Sequence, residues 1–323
     1  MTFEQIKEPI KENLDEFENY FKASMRSKVP LLDVITQYIL KKKGKQMRPM
    51  FVFLSAHLFS KPGTSTQVAA ALIELLHTAT LVHDDIVDDS NQRRGFFSIN
   101  ALWKNKIAVL VGDFLLSKGM LLALENKEYR SLEIVSRATR EMSEGELLQI
   151  EKARKLDITE EIYFEIIRKK TASLIASCCA AGAASTGASD DMTEKMYKIG
   201  EAIGIAFQIK DDLLDYETTE QIGKPSGIDI KEKKMTLPLI YCLNNLKYIE
   251  RKKLILKIKF KNNNKIEVAR IIEQVKSSGG IEYAREKMDI YLNKALSGLE
   301  DFEESAYKQA LIGLINFSIQ RNK

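Results

Sequence analysis

The stretch QVAAALIELLHTATLVHDDIVDD, from Gln67 to Asp89, is mostly apolar until its last two turns, where four aspartates arrive. Apolar residues at i, i+3 and i+4 over that length predict a helix buried inside a larger helical assembly, with a polar end. A second segment, EKMYKIGEAIGIAFQIKDDLLDYE from Glu194 to Glu217, repeats the arrangement and stays apolar until Asp211, Asp212 and Asp215. Two such helices, with only six prolines and sixteen glycines in 323 residues, predict an almost wholly helical, all-α chain. Turn-forming residues gather at 43–49, 59–65, 91–98, 222–227 and 261–265. All five are short and none has the composition of a linker, so a single domain over 1–323 is the simplest reading.

A chain that is 45% hydrophobic and 29% charged can bury a sizeable core. Its net charge of +4 reads as spread along the sequence, with no basic tail and no aromatic-interleaved basic patch, which argues against nucleic acid as a partner. Cys178, Cys179 and Cys242 lack metal-site spacing and read as reduced, buried thiols. The N-terminus is charged and amphipathic without a continuous apolar segment, and no later run reads as long enough without charge to span a bilayer. The expected location is the cytoplasm.

The acids need an explanation. Two carboxylates about 6 Å apart repel by roughly 3 kcal/mol at an effective dielectric of ~20. Helical spacing of four pairs Asp84 with Asp88, Asp85 with Asp89, and Asp211 with Asp215, so each helix presents a carboxylate fork. Hard oxygen donors of this kind suit Mg²⁺, which is commonly shared between one or two carboxylates and the phosphates of a substrate. A phosphorylated substrate also needs cations. Arg93 and Arg94 follow the first fork, Lys45 and Arg48 stand in GKQMRP before a helix that Pro49 can open, Lys170 and Thr171 precede a small apolar stretch, and Lys224 and Lys234 flank the loop after the second fork. Taken singly, each of these cations also fits an ordinary solvated surface, and His77, seven residues before Asp84, also fits a core histidine.

GKQMRP, HTATLVHDDIVDDSNQRRG, Lys170-Thr171, FQIKDDLLD and GKPSGIDIKEKKMTLPL stand in an order and spacing that resembles the trans-isoprenyl diphosphate synthases, from about Lys45 to Pro238. The resemblance implies a helical bundle around a deep central cavity, a homodimer, and head-to-tail condensation of isopentenyl diphosphate onto an allylic diphosphate. By that resemblance Asp84, Asp88 and Asp211 are the principal ligands of Mg²⁺, supported by Asp85, Asp89, Asp212 and Asp215, with three ions expected once the allylic substrate binds. Arg93, Lys170, Thr171, Gln208, Lys224 and Lys234 resemble the contacts to the allylic diphosphate, and Lys45, Arg48, His77 and Arg94 those to isopentenyl diphosphate. The pattern departs from the family at Lys233, where a glycine is usual.

A terpene cyclase shares the first acidic motif, but FQIKDDLLD followed by GKP and TLP fits a chain-elongating enzyme better. A non-catalytic partner subunit would have lost acids that are intact here. Before Asp84 stand Ala79 and Thr80, both small, where short-chain relatives often carry an aromatic residue. The resemblance therefore implies a long-chain synthase of the hexaprenyl to octaprenyl range, primed by farnesyl or geranylgeranyl diphosphate and serving quinone side chains, with a shorter-chain synthase as the alternative.

Overall fold

The structure, a computed structural model, describes residues 1–41, 44–93, 95–217 and 227–320, without the side chains of Arg93, Lys155 and Gln320. It is all-α apart from one hairpin of two-residue strands, β1 (Gln92–Arg93) and β2 (Phe96–Phe97), paired antiparallel with Gln92 opposite Phe97. Two compact units divide the chain.

The first unit takes residues 1–139, 177–197 and 301–314. It contains α1 (Phe3–Lys7), α2 (Lys11–Ser24), α3 (Pro30–Lys41), α4 (Met47–His57), α5 (Thr64–Val87) and α6 (Ile99–Glu125). Helix α5 corresponds to the segment expected at 67–89 and is buried almost all round from Val68 to Leu76, as its sequence requires. Each fully buried leucine or isoleucine there contributes about 1.5–3 kcal/mol of hydrophobic stabilisation before conformational entropy is counted. A cluster of Met25, Ile35, Leu75, Ala79, Val82, Ile99, Ala108, Val111 and Leu115 joins α3, α5 and α6.

The second unit takes residues 140–176, 198–300 and the chain from Ile315 on. Its elements are most of α7 (Tyr129–Lys155), α8 (Glu160–Ile167), a π-helical turn over Arg168–Ala172, the start of α9 (Ser173–Ser185) and the rest of α10 (Asp190–Leu214). There follow α11 (Ile228–Lys231), α12 (Leu237–Asn244), α13 (Tyr248–Lys261), α14 (Lys265–Ser277), α15 (Gly280–Ser297) and the end of α16 (Ala306–Gln320). The divisions at 139, 176, 197 and 314 fall inside α7, α9, α10 and α16 rather than in loops.

Two helices satisfy the length and composition needed to cross a membrane, against the expectation that none would. That expectation sought runs without charge, whereas Ile107–Leu124 of α6 contains Asp113 and Lys118 and is otherwise uncharged. Helix α5 is a core helix, 72% buried over its most apolar window, while α6 is 33% buried there and leaves Leu110, Met120, Leu121 and Leu124 exposed. All three cysteines are buried and unbridged, as their spacing suggested.

Lys233 explains the departure noted in the sequence. It has φ of 59°, in the left-handed region, and the N–H groups of Lys233 and Lys234 donate to the carbonyls of Ile230 and Asp229 at 3.1 and 2.8 Å. This is a Schellman closure of α11, and glycine is the residue for which its left-handed position is least strained. Lys233→Gly should therefore raise the stability of the folded chain by up to about 1 kcal/mol, read as a higher midpoint in thermal or urea unfolding. A lowered midpoint would mean that the lysine side chain contributes more than its backbone strain costs.

Candidate active site

Both acidic clusters sit at the C-terminal ends of their helices, where the backbone dipole already presents partial negative charge. At the end of α5, the Asp88 N–H donates to the Asp84 carbonyl at 2.8 Å, so the helical register joining these two residues is intact. Asp84 is half-buried and Asp88 exposed. The expected pairing of Asp85 with Asp89 does not form on the helix. Asp89 has φ of 48°, its N–H donates to Ile86, and the Ser90 N–H donates to the Asp85 carbonyl at 2.9 Å. The chain turns away in a Schellman motif. Asp85 is buried and its carbonyl also accepts from Asn100 Nδ2 at 3.2 Å, while Ser98, the cap of α6, donates to the Ser90 carbonyl. The hairpin thus returns the chain beside the acidic end, and Asp84 with Asp88 is the pair that keeps its helical register.

The three aspartates of α10 separate in a similar way. Asp211 is exposed. Asp212 is buried and accepts from Gln208 Nε2 and Tyr163 Oη, each at 2.8 Å. Gln208 in turn accepts from Thr171 Oγ1 at 2.8 Å, giving a chain of hydrogen bonds from the π turn to the acid. Asp215 spans α11: its two carboxylate oxygens accept the N–H groups of Ile228 and Asp229 at 2.9 and 3.0 Å. Asp215 is thus a cap as well as a fork member, a role its spacing did not reveal.

The π turn sets the presentation of Lys170 and Thr171. Two neighbouring helices approach this turn closely at glycines. A Cβ at Gly145 of α7 would lie 2.8 Å from Lys170 N, and one at Gly204 of α10 would lie 2.4 Å from the Ala172 Cα. Lys170 pairs with Glu146 and reaches Gln149 Oε1 at 3.5 Å, and Lys234 pairs with Glu232 and with Asp229 at 3.8 Å. Carboxylates therefore hold these two cations.

Of the remaining expected residues, Arg48 is half-buried in α4, close enough to Cys178 to act on its thiol together with Glu74. Lys45 is exposed, its ammonium 5.9 Å from the Phe3 ring, and His77 is buried in α5. Arg93 is described only as backbone in β1, and Arg94 and Lys224 lie outside the described residues. Ala79 is fully buried in the cluster that joins α3, α5 and α6. Thr80 lies four residues before Asp84, on the same helical face, and its hydroxyl is turned back to the His77 carbonyl at 2.9 Å.

Two residues were missed in the sequence. Tyr163 holds Asp212 but sits in an ordinary amphipathic stretch with no signal of its own. Asp229 is half-buried and stands near the end of the GKPSGIDI motif, whose lysine alone marked it in the sequence. Its carboxyl is pushed up to about 8, first by burial and then by Asp212 and Asp215. Asp212 is pushed up to about 7, chiefly by burial, against the hydrogen bonds of Gln208 and Tyr163.

Among the described residues no three acidic, histidine or cysteine side chains are grouped closely enough to cage a metal. The donor set still fits a hard divalent ion shared with a substrate diphosphate, because such an ion needs only one or two carboxylates from the protein. Asp84, Asp88 and Asp211, half-buried or exposed at the ends of α5 and α10, are the candidate oxygen donors.

The sequence model of the family described as Polyprenyl synthetase matches residues 29–275. The chain belongs to that family, the trans-isoprenyl diphosphate synthases. It is a prenyltransferase that condenses isopentenyl diphosphate with an allylic diphosphate. It is 35% identical over 320 residues, 98% of each chain, to an all-trans-nonaprenyl-diphosphate synthase (geranyl-diphosphate specific) of Rhodobacter capsulatus. It is 37% identical over 292 residues to a short chain isoprenyl diphosphate synthase of Methanothermobacter thermautotrophicus, covering 88% of this chain and 89% of that one. The crystal structure of a polyprenyl synthase from Caulobacter crescentus CB15, complexed with calcium and isoprenyl diphosphate, superposes with a TM-score of 0.90 at 32% identity, covering 100% of this chain and 98% of that one.

The raised carboxyls of this prenyltransferase set a pH dependence. Between about pH 4 and 8 the folded chain keeps protons on Asp212 and Asp229 that the unfolded chain has released, so stability falls as pH rises through that window. Melting temperatures measured in chelator from pH 5 to 8 should decline, and Asp229→Asn should flatten the slope. An identical slope in the variant would show that Asp229 does not titrate there.

Proposed function

We propose that the chain is a Mg²⁺-dependent long-chain synthase, extending farnesyl or geranylgeranyl diphosphate to an all-trans product of the hexaprenyl to octaprenyl range for quinone side chains. The observation that supports this reading is the Asp84–Asp88 pair in intact helical register, with the small Ala79 and Thr80 about one turn before it on α5. The named relatives span nonaprenyl to short-chain products, so they support the reaction class and leave length to the residues.

Three Mg²⁺ ions, held by Asp84, Asp88 and Asp211 together with the diphosphate, would supply Lewis-acid stabilisation of the leaving group. The chain's own residues do the rest. Lys170, Lys224, Lys234 and Arg93 meet the allylic diphosphate with positive charge, and Thr171 and Gln208 add dipoles fixed by their bond to each other. Lys45, Arg48, His77 and Arg94 hold isopentenyl diphosphate. The C–O bond of the allylic diphosphate breaks with both electrons leaving on the diphosphate. The isopentenyl alkene attacks the resulting allylic cation, and the adduct passes a proton to the released diphosphate as the double bond is restored. Water must stay out, because it would trap the cation as an alcohol.

A homodimer formed through the exposed apolar face of α6 accompanies this reading, as does a cytoplasmic location. The face repeats along one side, with Val109, Leu110, Met120, Leu121 and Leu124 all exposed. Light scattering should give a mass of two chains, and Leu110→Glu with Leu121→Glu should give one. A dimeric double variant would place the contact elsewhere.

Asp84→Ala and Asp211→Ala should each lower turnover by roughly 10²–10³-fold with circular dichroism unchanged, since each removes charge stabilisation and no packing. Near-normal turnover in either would remove that residue from the metal site. Product chromatography with farnesyl diphosphate and excess isopentenyl diphosphate should show chains longer than twenty carbons, and Thr80→Phe should shorten them. A wild-type product of twenty carbons or fewer makes this a short-chain enzyme.

A further inference from the structure

We infer that α13 is a docking helix for a bilayer surface containing anionic lipid. The charge of the chain is not evenly spread. Residues 247–265 carry eight basic side chains against the single acid Glu250, a surplus of seven in a chain whose net charge is +4, so the remaining residues sum to −3. This corrects the reading of the net charge as dispersed.

The helix is amphipathic in an unusual sense. Leu254 and Ile258 are buried in the core of the second unit and fix its inner face. Directly opposite, at spacings of seven and four residues, stand Ile249, Leu256 and Phe260, exposed by 67, 53 and 71%. Tyr248 at the start of the helix is 69% exposed, and Ile266, just past its end, is 65% exposed. At 100° per residue, Lys252 and Lys259 flank this outer stripe on one side and Lys253 on the other. Lys252 and Lys259 lie over the rings of Tyr248 and Phe260 at 4.4 and 5.6 Å, and Lys257 pairs with Glu267 at 3.2 Å.

An outer face that is merely solvated would hold lysine and glutamate without the aliphatic and aromatic stripe. A polyanion such as RNA would account for the lysines but not for Ile249, Leu256 and Phe260. Apolar side chains a few ångströms deep with cations at headgroup level are the arrangement that an anionic interface satisfies. The reason for a bilayer rests on the long-chain reading above, since a polyprenyl diphosphate of that length has a tail that partitions into lipid.

The test uses the whole chain with no substrate present, so its outcome is independent of product length. Co-sedimentation with vesicles of phosphatidylcholine containing 30% phosphatidylglycerol should retain the wild type, and pure phosphatidylcholine vesicles or 0.5 M salt should release it. Each lysine near such a surface contributes roughly fivefold to partitioning, so Lys252→Gln, Lys253→Gln and Lys259→Gln together should weaken it about a hundredfold. Ile249→Ser with Phe260→Ser should weaken it comparably while circular dichroism stays unchanged. No retention of the wild type, retention indifferent to both sets of variants, or a change of oligomeric state in the variants would overturn the assignment.

Discussion

Negative charge placed at the negative pole of a helix is the constraint around which this molecule is arranged. Both α5 and α10 end in aspartates, so side chains and backbone carbonyls raise the same unfavourable potential. The surroundings relieve it selectively. Asp85 and Asp212 are drawn into the protein, the latter with its carboxyl raised to about 7, and Asp215 is spent on the amides that open α11. At the surface stand Asp88, Asp89 and Asp211, with Asp84 half-buried. Asp84, Asp88 and Asp211 are the acids proposed above to hold a divalent ion.

Periodicity made most of the fold legible. The helices expected at 67–89 and 194–217 are found at Thr64–Val87 and Asp190–Leu214, because a long apolar repeat leaves no alternative to a buried helix. The turns at 43–49, 59–65 and 261–265 were marked by their residues, and Pro49 does stand in the first turn of α4. Spacing could not separate neighbours such as Asp211 and Asp212, whose fates depend on which side of α10 meets Tyr163. It also could not show that Asp89 leaves the helix, since nothing local distinguishes its φ of 48° from that of Asp88, at −89°. The exposure of α13 was hidden for the same reason, because an apolar repeat looks alike whether it faces a core or solvent.

Lys233 and Asp89 end their helices by the same device. Each occupies a left-handed position that glycine would fill with less strain, and each is followed by an N–H that reaches back to the last turn. At Lys233 the family resemblance anticipated glycine, so the departure is confined to the side chain while the backbone keeps the shape that glycine would take. That shape brings the N–H of Lys234 onto the Asp229 carbonyl and so ties the lysine to the half-buried acid beside it.

The π turn at Arg168–Ala172 has a consequence for the register of the whole segment. Relative to an α-helix it contains one additional residue, so positions before and after it are out of phase by about 100°. Tyr163 reaches Asp212 from one side of that phase change and Thr171 reaches Gln208 from the other, and both contacts converge on α10. In an uninterrupted helix, eight residues of separation would put the two side chains about 80° apart and would fix that angle permanently. The extra residue closes that angle toward about 20°, so both side chains lie on one side of the segment and meet one acid by two routes.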